Sequence, residues 1–468
     1  MNFPLESDFL LHNASGKKLF EQVASACPIL DFHTHLDPVS ILNDTVFTEI
    51  TDLWISSDPY KWRAMRMHGI PEEIITGSRG GPERFAAWAK TLPQLAGSPL
   101  YHWSRLELKR FFDIDILLTS DSASQIRSLC NEQLASQSFT ARSLLKRCGV
   151  STVVSSDPWC GEGNLQPHRQ ASEQSISPQL LPSLRADALL GIEAAGFADW
   201  RSTLEAAVGF SIDSLETLQQ ALRIRLDAFE ACGCRLADIG LDQIPRATGS
   251  ALAAESSLKQ ALTSQAITVE ESEKWKGYWM RWLGGEFARR QWTLQLHLGA
   301  QRQTSTRLAT KVGASGGYAC MGSSLNMSAL CTLLDGMETT EGLPRLILYP
   351  LNPIDMEALS SVCGSFVEDG VTQKVQLGAA WWYNDHRDGM ERQLRAVANY
   401  AVLGNFIGMV TDSRSFLSGV RHEYFRRVLC NLIGQWVEQG ELPRDEDYLQ
   451  GLVRQICYEN AQRQFSAH

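Results

Sequence analysis

Eight short apolar runs, spread along the whole chain and separated by segments of helical periodicity, constrain this sequence more than any other feature. They are Ile29–Phe32, Val150–Ser155, Leu180–Arg185, Arg235–Leu241, Thr293–Leu298, Arg345–Leu351, Lys374–Trp381 and Phe406–Thr411. Runs this short, apolar at consecutive positions, suit strands covered on both faces, as in a parallel sheet. Between them Ser214–Cys232, Asn326–Met337, Met356–Phe366 and Met390–Leu403 carry apolar residues at helical spacing, as right-handed β–α–β crossovers require. Eight strands alternating with helices predict an α/β fold, the closed (β/α)8 TIM barrel, with residues 1–468 as one decorated barrel.

Two long segments interrupt the alternation: residues 36–149 after the first strand and 242–292 after the fourth. Both are rich in helix formers, as in Leu106–Phe112, Ala141–Arg147 and Leu252–Leu262. As helical insertions after barrel strands they are expected to roof the C-terminal face, where barrel enzymes keep their active sites. The Ser/Gln-rich stretch 164–178 reads as a surface loop.

With 44% hydrophobic and 21% charged residues the chain can build a large core. Its net charge of -10 argues against binding to nucleic acid, which needs clustered cations. At the N-terminus, Glu6 and Asp8 interrupt the apolar residues and Lys17 and Lys18 follow them, the wrong order for a secretory signal. No apolar run approaches the roughly 20 residues that span a bilayer, so a soluble, cytoplasmic protein is expected. The eleven cysteines are irregularly spaced, and Cys232 and Cys234 stand one residue too close for a zinc-type pair; reduced structural thiols are expected.

The chemistry begins with Asp31-Phe32-His33-Thr34-His35 at the end of the first strand. Side chains alternate along a strand, so His33 and His35 project to one side and can grip a single metal ion; two surface histidines are the plain alternative. His297 ends the fifth strand, where a core histidine bonded to backbone is the alternative. Asp412 ends the eighth, where it could simply cap a following helix. Position shifts the balance, because all four stand at carboxyl ends of barrel strands, and strands one and eight are neighbours in a closed barrel. His33, His35 and Asp412 can therefore meet around one ion.

This arrangement resembles the amidohydrolase superfamily, with HxH on strand one, His on strand five and Asp on strand eight. Strand four, ADIGLD, offers Asp238 and Asp242 but no bridging lysine, so a single metal is expected. Within the superfamily, DFHTHLDP, DPYKWRAMR at 58–66, LQLHLGAQR at 294–302, LILYPLNP at 346–353, AWWYNDHRDGM at 380–390 and TDSRSFLSGVRHEYFRRVLC at 411–430 resemble the uronate isomerases over nearly the whole chain. That resemblance implies aldose–ketose isomerisation of a hexuronate, glucuronate to fructuronate or galacturonate to tagaturonate, through an enediol.

It further implies one divalent ion, with zinc expected, on His33, His35 and Asp412. Tyr60 and Asp412 are the candidate C2 bases, and Arg414 is expected to lower a pKa or hold an oxyanion. Arg185 and Arg302 are expected to bind the sugar acid, Trp381 to wall the pocket, and His297 to relay a proton or orient a hydroxyl. For Tyr60 an ordinary core role is the alternative, and for Arg185 a pairing with Asp187. The RHEYFRR run, residues 421–427, is expected to form a helix that buttresses the site. A homo-oligomer is expected.

Three places depart from the family: Pro59 where a histidine is usual, Asp238-Ile239-Gly240 where Asp-His-Gly is usual, and Gly316-Gly317-Tyr318-Ala319 in place of an acidic segment. With Pro59 and Ile239 both expected to line the pocket, the usual hexuronates would lose hydrogen bonds. Two rival readings are a one-metal hydrolase of a sugar lactone or amide, and a degenerate protein that only binds sugar acids.

Overall fold

The computed structural model describes residues 5–136, 139–340 and 342–465. Among them seven strands form one sheet: β1 Ile29–Thr34, β2 Val150–Pro158, β3 Gln179–Arg185, β4 Leu236–Leu241, β5 Thr293–Leu298, β6 Arg345–Pro350 and β7 Val375–Leu377. Each pairs in parallel with the next in chain order, and Gly240, His297 and Tyr349 stand level across β4, β5 and β6. Every residue of β1 and β5 is buried, as expected of strands covered on both faces.

The eighth run forms no strand. Residues 406–413 nevertheless occupy its place beside β1: Asp412 N donates to His33 O at 3.0 Å and His35 N donates to Ser413 O at 2.9 Å. Extended geometry is broken by positive φ at Gly408 (95°) and Asp412 (47°), and the Thr411 N–H goes to the Asp31 carboxylate rather than to a ladder. The seventh run is also shorter than expected. It leaves the sheet at Gly378, where a Cβ would meet the Tyr349 ring at 2.4 Å, and Trp382 then turns at φ 46°.

Helix Leu215–Ala231 is held by a reciprocal cap between Ser214 and Thr217, which sets the boundary the periodicity predicts. Helix Met356–Val362 stops short of Phe366, and Arg387–Tyr400 starts earlier than expected because His386 Nδ1 accepts from Gly389 N. Within the stretch read as a loop, Gln166–Glu173 is helical, with His168 and Ala171 buried. The RHEYFRR run lies in helix Val420–Glu438 with Arg421, His422, Arg426 and Arg427 buried. All eleven cysteines are free. No helix among the described residues is long and apolar enough to cross a membrane.

Residues 36–149 fold into short helices, of which Pro59–Met67 reaches the site. Residues 242–292 behave differently from expectation. Their helices Ala251–Leu262 and Val269–Arg289 pack on each other, and the second also packs on Met327–Thr340, in the layer outside the sheet; none of them lines the site cavity.

The helix Ala14–Gln22 crosses Val420–Glu438 at paired glycines: a Cβ on Gly434 would stand 2.1 Å from Asn13 Oδ1, the atom that caps the first helix through Gly16 N. Gly434→Ala is therefore expected to lower stability by about 1–3 kcal/mol through overpacking and a weakened cap, read by denaturant unfolding. An unchanged midpoint would mean that the crossing yields freely.

Candidate metal and sugar-acid site

At the carboxyl end of the sheet, β1 ends in the two histidines and residues 406–413 bring Asp412 against them. His35 Nε2 lies 2.9 Å and His33 Nε2 3.4 Å from Asp412 Oδ1. The other oxygen, Oδ2, accepts from the indole N–H of both Trp381 and Trp382 at 2.8 Å. The positive φ of Asp412 thus aims one carboxylate between two imidazoles on one side and two indoles on the other. Burial alone would raise its pKa, but the bonds to His33 and His35 hold the carboxyl well below its ordinary value, so it is ionised. His33 is pushed above its ordinary value by Asp412 and Asp238 in spite of its burial.

One ligand atom from each of His33, His35 and Asp412 falls within a 4.8 Å group, and the three could hold a metal ion. The donor set fits a divalent cation: two imidazoles and one carboxylate leave positions open to substrate or water. The buried Asp238 on β4 accepts from Ser156 and Ser183, and burial pushes its carboxyl up.

A cavity of about 320 Å³ opens above this cluster. His35, Tyr60, Arg185, Arg302, Asp412 and Arg414 all line it, so six of the residues singled out in sequence share one space. Two do not. His297 is 5% exposed beneath it, stacked 4.7 Å from the Tyr349 ring and 4.7 Å from the His33 ring. Its burial and the His33 charge keep it neutral, and its Nε2 has no hydrogen-bond partner. Trp381 is likewise buried under the floor, and the wall expected of it is Trp382.

Tyr60 stands in the first turn of helix Pro59–Met67, whose cap is Asp58: its Oδ1 accepts from Tyr60 N at 2.9 Å, and its Oδ2 lies 2.7 Å from the buried Lys61 Nζ. The Arg421 guanidinium lies 5.2 Å from the Tyr60 ring and donates to Thr411 O at 3.0 Å. Burial and the Asp412 charge push the Tyr60 phenol well above its ordinary value, so it is a neutral donor. Arg185 both lines the cavity and pairs with Asp187 at 3.4 Å, which reconciles its two readings. Burial and the neighbouring Arg185 pull the Arg414 pKa down, against the Asp412 and Asp58 charges.

Arg63 was missed in sequence, although it lies three residues beyond Tyr60 and so shares its helix face. With Arg185, Arg302 and Arg414 it makes four guanidinium groups around the cavity. Arg63 also ties down the loop after β5, donating to Ala319 O at 3.0 Å, while Arg66 donates to Gly316 O at 3.0 Å. That loop touches the helix backbone to backbone: Gly317 has φ 76°, and a Cβ there would meet Pro59 O at 2.4 Å. Two of the three departures are therefore in contact. The third lies elsewhere: Ile239 is fully buried and absent from the cavity lining, because its neighbour Asp238 takes the opposite side of the strand. The expectation that it lines the pocket is wrong.

Residues 1–465 match the glucuronate isomerase family. The chain is 41% identical over 461 residues to a uronate isomerase of Bacillus licheniformis, covering 98% of this chain and 97% of that one. It is 42% identical over 468 residues to a uronate isomerase of Salmonella paratyphi A, covering 99% of each. Among solved structures, a uronate isomerase from Thermotoga maritima superposes with a TM-score of 0.92 at 30% identity over 99% of this chain and all of that one. A glucuronate isomerase from Caulobacter crescentus, at 20% identity and a TM-score of 0.90 over 99% of this chain and 97% of that one, shares the fold. The chain belongs to the glucuronate isomerase family.

Proposed function

We propose that this enzyme interconverts a hexuronate aldose and its 2-keto isomer, with glucuronate or galacturonate as the aldose. The observation that carries the reading is the set of four guanidinium groups around a cavity floored by His35 and Asp412. A sugar acid needs a cationic grip at one end and proton-transfer groups at the other. His33, His35 and Asp412 are the ligands of one divalent ion, with zinc the expected ion, and bound there it supplies electrostatic hold on the substrate's oxygens.

Arg185 and Arg302 bind the substrate carboxylate and hydroxyls. Of the two candidate bases, the ionised Asp412 is favoured over the neutral Tyr60. Asp412 takes the C2 proton while the Tyr60 phenol gives its proton to O1, and Arg414 stabilises the oxyanion as charge develops. Tyr60 then recovers a proton from O2 as Asp412 delivers its own to C1, which leaves the ketose and both groups restored. His297 backs the His33 ring and acts by positioning. A cytoplasmic homo-oligomer completes the proposal.

The test of the grip is kinetic. Arg185→Met is expected to raise KM for glucuronate at least about tenfold, since a charge-assisted hydrogen bond contributes ~1.5–3 kcal/mol, and neutral glucose should not turn over. Equal rates on glucose and glucuronate would contradict it. Metal content is expected near one ion per chain. His33→Ala and His35→Ala should lower occupancy, whereas His297→Ala should lower turnover more than occupancy; active protein free of metal would overturn the ligand assignment.

Pro59→His restores a polar group to the pocket wall and is expected to change kcat/KM among uronate epimers by about tenfold, the worth of a single buried hydrogen bond. Ile239→His buries an imidazole in the core, so it should lower stability by about 2 kcal/mol and leave epimer preference alone. A shift in preference from Ile239→His would restore that residue to the pocket.

A further inference from the structure

A second cavity, of about 640 Å³, lies at the opposite end of the barrel from the site above. Its lining includes Arg235 just before β4, Arg345 at the start of β6 and Lys374 just before β7, all at the amino ends of strands, together with Arg463 of helix Asn460–Phe465. In barrel enzymes this end does no chemistry, so a cationic cavity here needs another account. Glu368 is the one carboxylate in the lining, and it is committed to an ion pair with Lys374. Three guanidinium groups are left without a carboxylate among the lining residues.

Each uses one N–H locally: Arg235 Nη1 donates to Cys234 O, Arg345 Nη1 to Thr372 O and Arg463 Nη2 to Asn460 Oδ1. A guanidinium has five donors, so most remain for a ligand. Burial pulls the Arg345 pKa below its ordinary value, and the Glu368 charge opposes it. A second observation is independent of charge. Gln376 stands level with Ile347, and only 4% of it is exposed. It lines the cavity, and its Oε1 accepts no hydrogen bond. A buried carbonyl oxygen of this kind can accept from a ligand hydroxyl.

We infer that this cavity is a second ligand site, which takes a polyhydroxylated anion carrying about three negative charges, that is, a sugar acid bearing a phosphate. The remaining donors of the three guanidinium groups match one phosphate plus one carboxylate, and Gln376 reads a hydroxyl. A cavity of this size holds such a molecule whole.

The probe is 6-phosphogluconate, titrated calorimetrically into the full-length protein. Saturable binding is expected, weakened at least about tenfold by Arg345→Gln and unaffected by Arg414→Met, with the Arg345→Gln isomerase rate unchanged. Arg463→Gln, at an exposed helix position, should weaken binding in the same way and keeps the test open if Arg345→Gln does not fold. No saturable binding would overturn the inference, as would binding abolished by Arg414→Met alone, which assigns the ligand to the catalytic pocket. Inorganic phosphate binding as tightly as 6-phosphogluconate would overturn the role of Gln376.

Discussion

Asp412→Asn is expected to lower turnover at least about a thousandfold and to empty the metal site, with a melting temperature close to that of metal-free wild type. The amide oxygen can still accept from Trp381 and Trp382, and its NH2 can face His33 and His35, so the local packing survives. What the variant lacks is charge. The neutral amide neither holds a cation between two imidazoles nor removes a proton from carbon, and loss of a general base alone is worth about 10²–10⁴ in rate. Metal analysis and kcat on the same preparation separate the two roles. Full metal occupancy with turnover lost would make Asp412 a base and not a ligand; retained turnover would contradict both.

Tyr60→Phe and Arg414→Met are each expected to cut kcat at least about a hundredfold while metal content stays intact. The phenol is held neutral by burial and by the Asp412 charge, which suits it to donate a proton to O1 and unsuits it to act as the C2 base. Phenylalanine keeps the ring under Arg421 and removes only the hydroxyl. Arg414 lines the cavity beside Asp412, and methionine keeps its bulk without its charge. If both variants kept ordinary kcat and raised only KM, these groups would bind the ground state and take no part in proton transfer.

The parts of the fold legible in sequence were those set by local chemistry. β5 matches the run Thr293–Leu298 residue for residue because each of its side chains is buried, and helix Ala141–Arg147 was bounded in advance because Thr140 and Ser143 cap it. The eighth run departs from a strand because its backbone is organised from outside: Asp31, 380 positions earlier, takes the Thr411 N–H. Nothing in residues 406–411 announces that. Ile239 failed for a related reason, because register decides which side of β4 faces the cavity, and a one-residue step moves a side chain from pocket to core.

The site divides the same way. His33, His35 and Asp412 were legible from their strand ends. Trp382 and Arg63 were not, although Trp382 sits next to Trp381 and Arg63 one helical turn from Tyr60. At Gly316–Ala319 the sequence shows only a loss of acidic residues, whereas the contact with Pro59 is a matter of two backbones meeting where only glycine fits.

The most direct test of the central claim is to follow D-glucuronate by NMR and mass spectrometry with metal-loaded wild-type protein. The expected result is a 2-keto product of unchanged mass in equilibrium with the aldose, formed in either direction. A product heavier by one water would mark a hydrolase, and no conversion of glucuronate, galacturonate or their epimers would contradict the isomerase account.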